Sequence, residues 1–299
     1  MQVLITGGTG FIGRALAREL LAQGHAVSVL TRNRPRAAST LPAGAVAVEA
    51  LAGLAPQAVV NLAGENLGAH RWNAARKRAF VDSRAGTTLA LVEWMKSLPQ
   101  VPQVLVSGSA VGYYGARGDE TLTEEAAPGR EFQSELCASW EAAAQRAEAL
   151  GVRVCRIRIG IVLGPGGALA AMKLPFQFGL GGHLGSGSQW MSWIHREDLV
   201  SLIVWLLLGE ARAGAYNATA PQPATNREFA RALGASLHRP VLFPMPALAV
   251  KLLVGEMAHL LLTGQKVLPA RAQAEGFRFR YPDLRSALAQ VFGDSAGRA

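Results

Sequence analysis

Thr6–Gly13, TGGTGFIG, follows the apolar run Val3–Ile5 and opens a segment of helical periodicity. Its glycines, Gly7, Gly8, Gly10 and Gly13, satisfy both a G-x-x-G-x-x-G and a G-x-G-x-x-G spacing. A glycine pattern alone is a weak signal. One that ends a strand and starts a helix inside a βαβ unit points to a dinucleotide. Glycine lets the backbone come close to a pyrophosphate, and a helix beginning at Phe11 turns free N–H groups and the positive end of its dipole toward that anion. The last glycine lets the helix pack tightly on the strand. Gly7, Gly10, Phe11, Ile12 and Gly13 are therefore the first expected cofactor contacts.

Working outward, Phe11, Ile12, Leu16, Leu20 and Leu21 repeat at helical spacing, and Gly24 ends that helix. Short β-type runs follow at Ala26–Leu30, Val46–Val48, Ala58–Leu62, Val104–Ser107 and Val152–Ile157, with helical patterns over about 72–98 and 130–150 between the later ones. Strand and helix in alternation, with apolar strands, predict an α/β fold with a doubly wound parallel Rossmann sheet. After Gly164-Pro165 the rhythm changes to a glycine-rich loop, Gly179–Gly187, an extended Gln189–Ile194, a helix Glu197–Leu208, and a mostly helical remainder from Pro221. The expected division is 1–165 plus about 190–220 as the dinucleotide-binding Rossmann domain, and about 166–189 with 221–299 as a smaller, mostly helical C-terminal lobe on the substrate side.

The end of the second strand selects the nucleotide. An acid about 20 positions beyond the glycines would hydrogen-bond the adenosine ribose. This chain has Thr31-Arg32-Asn33-Arg34 there. A guanidinium binds a phosphate that a carboxylate would repel. The expected cofactor is NADP(H), with Arg32 on the 2′-phosphate, Thr31 and Asn33 beside it, and Arg34 or Arg36 as a helper.

The bulk composition narrows the class. The chain has 299 residues, 50% of them hydrophobic, which suffices for a large core. Its net charge of +9 comes from scattered arginines without a lysine-rich tract, so a nucleic-acid partner is not expected. The apolar run Leu199–Leu208 is about half the length of a membrane span and reads as a buried helix. Met245–Thr263 is interrupted by Lys251, Glu256 and His259 and reads as an amphipathic helix, not an inserted one. Two distant cysteines, Cys137 and Cys155, and an apolar strand without a charged leader fit a cytoplasmic protein without disulfides. No residues have metal-ligand spacing.

Further segments, in order, resemble the extended branch of the short-chain dehydrogenase/reductase superfamily. Asn61-Leu62-Ala63-Gly64 is similar to the turn beside the cofactor's ribose, Val106–Ala110 to the strand end that carries the active-site serine, and Arg158–Pro165 (RIGIVLGP) to the segment passing the nicotinamide. Trp193–Asp198 (WIHRED) resembles a substrate-side motif. The resemblance implies cofactor contacts at Leu62, Ala63, Gly64, Ser107 and Arg158. NLAGEN, RW, SR, GYYG, CASWE, WIH and the late GFRFRYPDL together resemble an atypical group of epimerase family proteins with its own C-terminal domain of unknown function. The resemblance also implies pairing of two copies through the long sheet-flanking helices.

One departure matters. The extended branch carries a Tyr-x-x-x-Lys pair, and in the favoured register Cys137 and Glu141 stand at those positions, with Ser83 at a family asparagine. A carboxylate beside an acid disfavours its ionisation, so the family's proton-transfer machinery does not carry over. Ser109, with Ser107 competing, is a candidate for holding a substrate carbonyl. Tyr113 and its neighbour Tyr114 are candidate proton donors, and His195 is a candidate acid or base. Cys137 reads as a buried filler, and Glu141 as a base or as the partner of an arginine such as Arg84. Arg71-Trp72 is a candidate anion clamp. The expected pocket lies between sheet and lobe, lined by Ser109, Tyr113, Cys137, Arg158, Trp193 and His195. Two functions compete. One is an NADP-dependent oxidoreductase or epimerase-like enzyme acting on a small metabolite. The other is a non-catalytic NADPH-binding regulator acting through a protein partner.

Overall fold

A computed structural model describes residues 1–293. Along the chain the elements are β1 Gln2–Thr6, α1 Phe11–Ala22, β2 Ala26–Leu30, α2 Arg34–Ala38, β3 Val46–Val48, β4 Ala58–Asn61, α3 Ala74–Val81, α4 Thr87–Lys96, β5 Val104–Ala110, β6 Thr121–Leu122, α5 Phe132–Gln145 and β7 Arg153–Ile159. They continue with β8 Ile161–Leu163, α6 Gly167–Gln177, β9 Trp190–Met191, β10 Trp193–His195, α7 Arg196–Leu208, β11 Gly214–Ala218, β12 Ala224–Thr225 and α8 Asn226–Ser236. The last are α9 Ala247–Val254, α10 Ala258–Leu262, β13 Lys266–Val267, α11 Ala270–Ala274 and α12 Leu284–Gly293.

The main sheet has seven parallel strands in the order β3-β2-β1-β4-β5-β7-β11. The chain winds outward from β1 on one side and from β4 on the other, so a crevice opens between their C-terminal ends. Thr6 lies opposite Asn61, and Asn61 opposite Ser107, so the loops after β1, β4 and β5 emerge side by side.

Successive strand residues face opposite sides. Val3, Ile5, Val60, Val106 and Ile157 pack with Leu16 and Leu20 of α1 and with Leu199, Leu202, Ile203 and Leu206 of α7. Leu4, Val59, Leu105 and Val154 pack on the other face with Leu91, Val92 and Met95 of α4 and Ala144. Burial on both faces explains the unbroken apolar strands, and α7 is the buried helix read from Leu199–Leu208. A second cluster, including Leu169, Phe176, Trp193, Phe229, Leu233 and Leu288, lies among α6, β10, α8 and α12. Among the described residues no helix is long and apolar enough to cross a membrane.

The sequence reading missed the seventh strand, β11, and the short pairing of β8 with β10. The single helix expected over about 72–98 is α3, a π-helical turn at Asp82–Gly86, and α4.

Candidate functional site

Gly7 turns the chain off β1 with φ +69°, and a Cβ there would lie 2.4 Å from the Leu62 carbonyl oxygen. A Cβ on Gly13 would lie 2.4 Å from the Gly7 carbonyl oxygen and 2.5 Å from the Gly8 Cα. Those distances forbid side chains and hold α1 hard against the strand ends. Gly10 caps α1 without a side-chain hydrogen bond, so the amides of Phe11, Ile12 and Gly13 have no acceptor among the described residues. They face a cleft of about 320 Å³ lined by Gly7, Gly10–Gly13 and Leu62 on one side and by Gly160, Ile161, Val162 and Ala168 on the other. Free amides at a helix start over a glycine cradle suit a pyrophosphate. The Phe11 ring packs beneath a chain segment stripped of side chains: Cβ atoms on Gly164, Gly166 and Gly167 would lie 2.8, 3.2 and 3.0 Å from it.

At the end of β2, Thr31 Oγ1 accepts from the Asn33 amide at 3.2 Å, and Asn33 Oδ1 caps α2 by accepting from the Arg36 amide at 3.0 Å. This hydrogen-bonded turn holds Arg32, which is exposed and has no ion pair or hydrogen bond among the described residues. It is an unpaired cation beside the glycine cradle.

Beyond β4, Asn61 Oδ1 accepts from Thr6 Oγ1 at 2.6 Å and from the Ala63 amide at 3.3 Å, while its Nδ2 donates to Thr88 Oγ1 at 2.7 Å. This buried network fixes the turn Leu62-Ala63-Gly64. Leu62 lines the cleft, and Gly64 lies against the Arg84 side chain. Ser107 is fully buried, its hydroxyl only 3.4 Å from the Gly108 carbonyl oxygen.

The region around Cys137 and Glu141 is a buried ion network. Ser109 Oγ donates to Glu141 Oε1 at 2.8 Å. Arg158 Nε donates to Glu141 Oε1 at 2.8 Å and Nη2 to Oε2 at 3.0 Å, a two-pronged pair in which neither side chain is more than 4% exposed. Arg156 adds a longer contact at 3.4 Å. Burial alone would lower the Arg158 pKa, but the hydrogen bonds and charge of Glu141 push it up. Arg158 also donates to Tyr114 Oη at 2.9 Å, and that hydroxyl donates to Asn217 Oδ1 at 2.6 Å. Burial raises the Tyr114 pKa to about 12. Arg158 is thus committed away from the cleft, and its segment reaches the cleft through Gly160–Val162. Glu141 pairs with Arg158 and Arg156, not with Arg84.

The remaining candidates separate clearly. Cys137 is 4% exposed, and burial pushes its thiol up to about 11, so it is a filler and not a nucleophile. The Tyr113 ring lies under the Arg158 guanidinium at 3.6 Å and is half-buried, with no hydrogen-bond partner for its hydroxyl among the described residues. His195 corrects the expectation of an acid or base. Its Nδ1 accepts from the Glu197 amide as the cap of α7, and its Nε2 therefore carries the proton and donates to Gln290 Oε1 at 2.9 Å. The ring is 2% exposed and lies 4.0 Å from the Tyr281 ring, and burial lowers its pKa. Trp193 is likewise withdrawn: fully buried, it donates to the Gln222 carbonyl. Arg71 and Trp72 form no clamp, because Arg71 donates to the Leu252 and Leu253 carbonyls at the end of α9 while Trp72 packs edge-on against Phe80 and Phe132.

The sequence reading placed the segment Arg158–Pro165 beside the cofactor but named only Arg158 of it as a contact, whereas Gly160, Ile161 and Val162 line the cleft; Ala168 was missed. Gly160 carried the signal: a Cβ there would meet the Ser192 carbonyl oxygen at 2.5 Å. Among the described residues no cluster of His, Cys, Asp or Glu could hold a metal ion.

A parallel sheet with a glycine cradle at its switch point defines a dinucleotide-binding α/β protein. The chain belongs to the NAD dependent epimerase/dehydratase family, which it matches over residues 3–218, and residues 245–291 match a domain of unknown function, DUF1731. It is 42% identical to the chloroplastic epimerase family protein SDR39U1 homolog of Arabidopsis thaliana, over 97% of this chain and 86% of that one. It is 37% identical to the epimerase family protein YfhF of Bacillus subtilis, over 98% and 99% of the two chains. The crystal structure of human epimerase family protein SDR39U1 with NADPH superposes with a TM-score of 0.89 at 37% identity, covering 98% of this chain and 100% of that one.

Proposed function

We propose that the protein binds NADPH and acts as an oxidoreductase or epimerase-like enzyme on a small metabolite, without the usual Tyr-x-x-x-Lys pair. The observation that carries the cofactor is the unpaired Arg32 at the end of β2, on the same edge as the free amides of α1. The human relative crystallised with NADPH supports it. Gly10–Gly13 would hold the pyrophosphate, Arg32 the 2′-phosphate, and Leu62 with Gly160–Val162 the walls toward the nicotinamide. When bound, the cofactor supplies or accepts a hydride.

The chain's own residues then exclude water and position the substrate. Tyr113 is the candidate proton donor, as its hydroxyl is uncommitted. Tyr114, Ser109 and Cys137 are held in the buried network. That same network favours a second reading, a non-catalytic NADPH-binding regulator, because the positions of the usual proton-transfer pair are closed. Two buried free thiols fit work in a reducing cytoplasm.

Two experiments test these readings. Arg32→Asp is expected to weaken NADPH about tenfold or more in titration calorimetry while leaving NADH within about threefold. Equal losses would refute the placement of the adenosine end. Substrate-dependent loss of the reduced-nicotinamide absorbance, abolished by Tyr113→Phe, is expected of the enzyme. Silence across metabolite pools, together with a recovered protein partner, would leave the regulator.

A further inference from the structure

Three arginines converge on the solvent side of α1. Arg14 and Arg18 stand one turn apart on that helix, and Arg196 is the first residue of α7. With Phe11, Ala15 and Thr40 they line a concavity of about 170 Å³. It is separate from the cofactor cleft and shares only Phe11 with it. The Arg196 guanidinium is held over the Phe11 ring at 5.0 Å.

None of the three has an ion pair among the described residues. Arg14 makes one long hydrogen bond, from Nε to the Gly10 carbonyl at 3.4 Å, and the Arg18 and Arg196 side chains make none. The acids next to them in sequence are engaged elsewhere. Glu19 accepts from Gln23 Nε2 at 2.7 Å, and Glu197 accepts from Arg280 Nη1 at 3.3 Å and from Tyr281 Oη at 3.1 Å. No carboxylate lines the concavity.

By itself this arrangement is unfavourable in three ways. Like charges four residues apart on a helix repel. Arg14 in the first turn of α1 and Arg196 at the start of α7 both set a cation against the positive end of a helix dipole. Arg196 is half-buried, and burial lowers its pKa; Glu197 opposes that shift, while Arg18 and Arg14 add to it. One anion in the concavity relieves all three. Its size selects the anion. About 170 Å³ is below the roughly 300–1,000 Å³ of sites that enclose a whole organic ligand, so the concavity admits an anionic head and not a nucleotide. A carboxylate has two oxygens, enough for one guanidinium fork. A phosphoryl group offers an oxygen to each arginine.

We propose that Arg14, Arg18 and Arg196 form a second anion site, distinct from the dinucleotide grip, that binds a phosphoryl group, as inorganic phosphate or as the phosphate end of a small metabolite.

The test is titration calorimetry of the full chain with inorganic phosphate and with glycerol 3-phosphate, in the presence of saturating NADPH so that the glycine cradle is filled. Both probes are expected to bind the wild type at one site. Arg18→Gln combined with Arg196→Gln is expected to raise their Kd about tenfold or more, as for lost hydrogen bonds between charged groups, and to leave the NADPH Kd within about twofold. The double variant removes repulsion, so its Tm without phosphate is expected to equal or exceed that of wild type. Tighter binding of inorganic phosphate assigns the site to the free anion, and tighter binding of the ester assigns it to a metabolite. Wild type that binds neither probe overturns the proposal, as does an unchanged Kd in the double variant or an equal response to sodium chloride at matched ionic strength. A loss of NADPH affinity as large as the loss of the probes also overturns it, by making these arginines part of the cofactor grip. Titrations without NADPH separate this site from the cofactor reading: a chain that binds the probes through Arg18 and Arg196 but does not bind NADPH refutes that reading and leaves the site standing.

Discussion

Glu141→Gln keeps the shape of the buried side chain and removes its charge. In the native chain Glu141 receives two hydrogen bonds from Arg158, at 2.8 and 3.0 Å, and one from Ser109 at 2.8 Å, all away from solvent. The amide can accept at one oxygen only, so the Arg158 guanidinium keeps its charge and loses its counter-ion. Breaking a buried pair from one side costs about 3–5 kcal/mol. An unfolding entropy of about 2.1 cal/mol/K per residue gives roughly 0.6 kcal/mol/K for this chain, so Tm should fall by about 5–8 °C. Differential scanning calorimetry at neutral pH measures it. A second change, Arg158→Met, should return much of the loss, because the double variant no longer strands the Arg158 charge and leaves only the partly exposed Arg156 without its longer contact. Glu141→Lys should destabilise more than Gln by adding a cation beside Arg156 and Arg158. A Tm within 1 °C of wild type for Glu141→Gln, or no recovery in the double variant, would refute the claim that Glu141 and Arg158 form a stabilising buried pair.

Two further outcomes follow from the geometry. Gly13→Ala should abolish measurable NADPH binding in titration calorimetry and lower Tm, because its Cβ would lie 2.4 Å from the Gly7 carbonyl oxygen; retained affinity would show that the cradle can open. His195 has a lowered folded-state pKa, so the unfolded chain binds the proton more readily. Its stabilising contribution is then complete above about pH 6.5 and is lost as pH falls below that. Wild type should lose more Tm between pH 7.5 and 5.5 than His195→Asn, which keeps a capping side chain without titrating, and parallel curves would refute the neutral cap.

The parts of the fold that the sequence revealed are those governed by short-range rules. TGGTGFIG announces its strand, turn and helix because each glycine answers a local steric demand, and the strands buried on both faces read as apolar runs. β11 was illegible for the opposite reason. Its sequence, GAYNA, carries a buried asparagine that becomes tolerable only through distant partners: Asn217 Nδ2 donates to the Leu268 carbonyl, and its amide to Glu124. His195 looked chemical because histidine usually is, and its second ring nitrogen is committed only by the approach of Gln290, 95 residues away. Arg158 sits in the segment that runs into the cleft, but strand alternation sends its side chain toward Glu141 of α5.

The Phe11 ring lodged beneath Gly164–Gly167 has a mechanical consequence. That ring belongs to the first turn of α1, and the three glycines above it lie where the chain passes from β8 into α6. Their lack of side chains leaves no cushion between the two parts. A displacement of the first turn of α1 would therefore press directly on the segment that leads into α6.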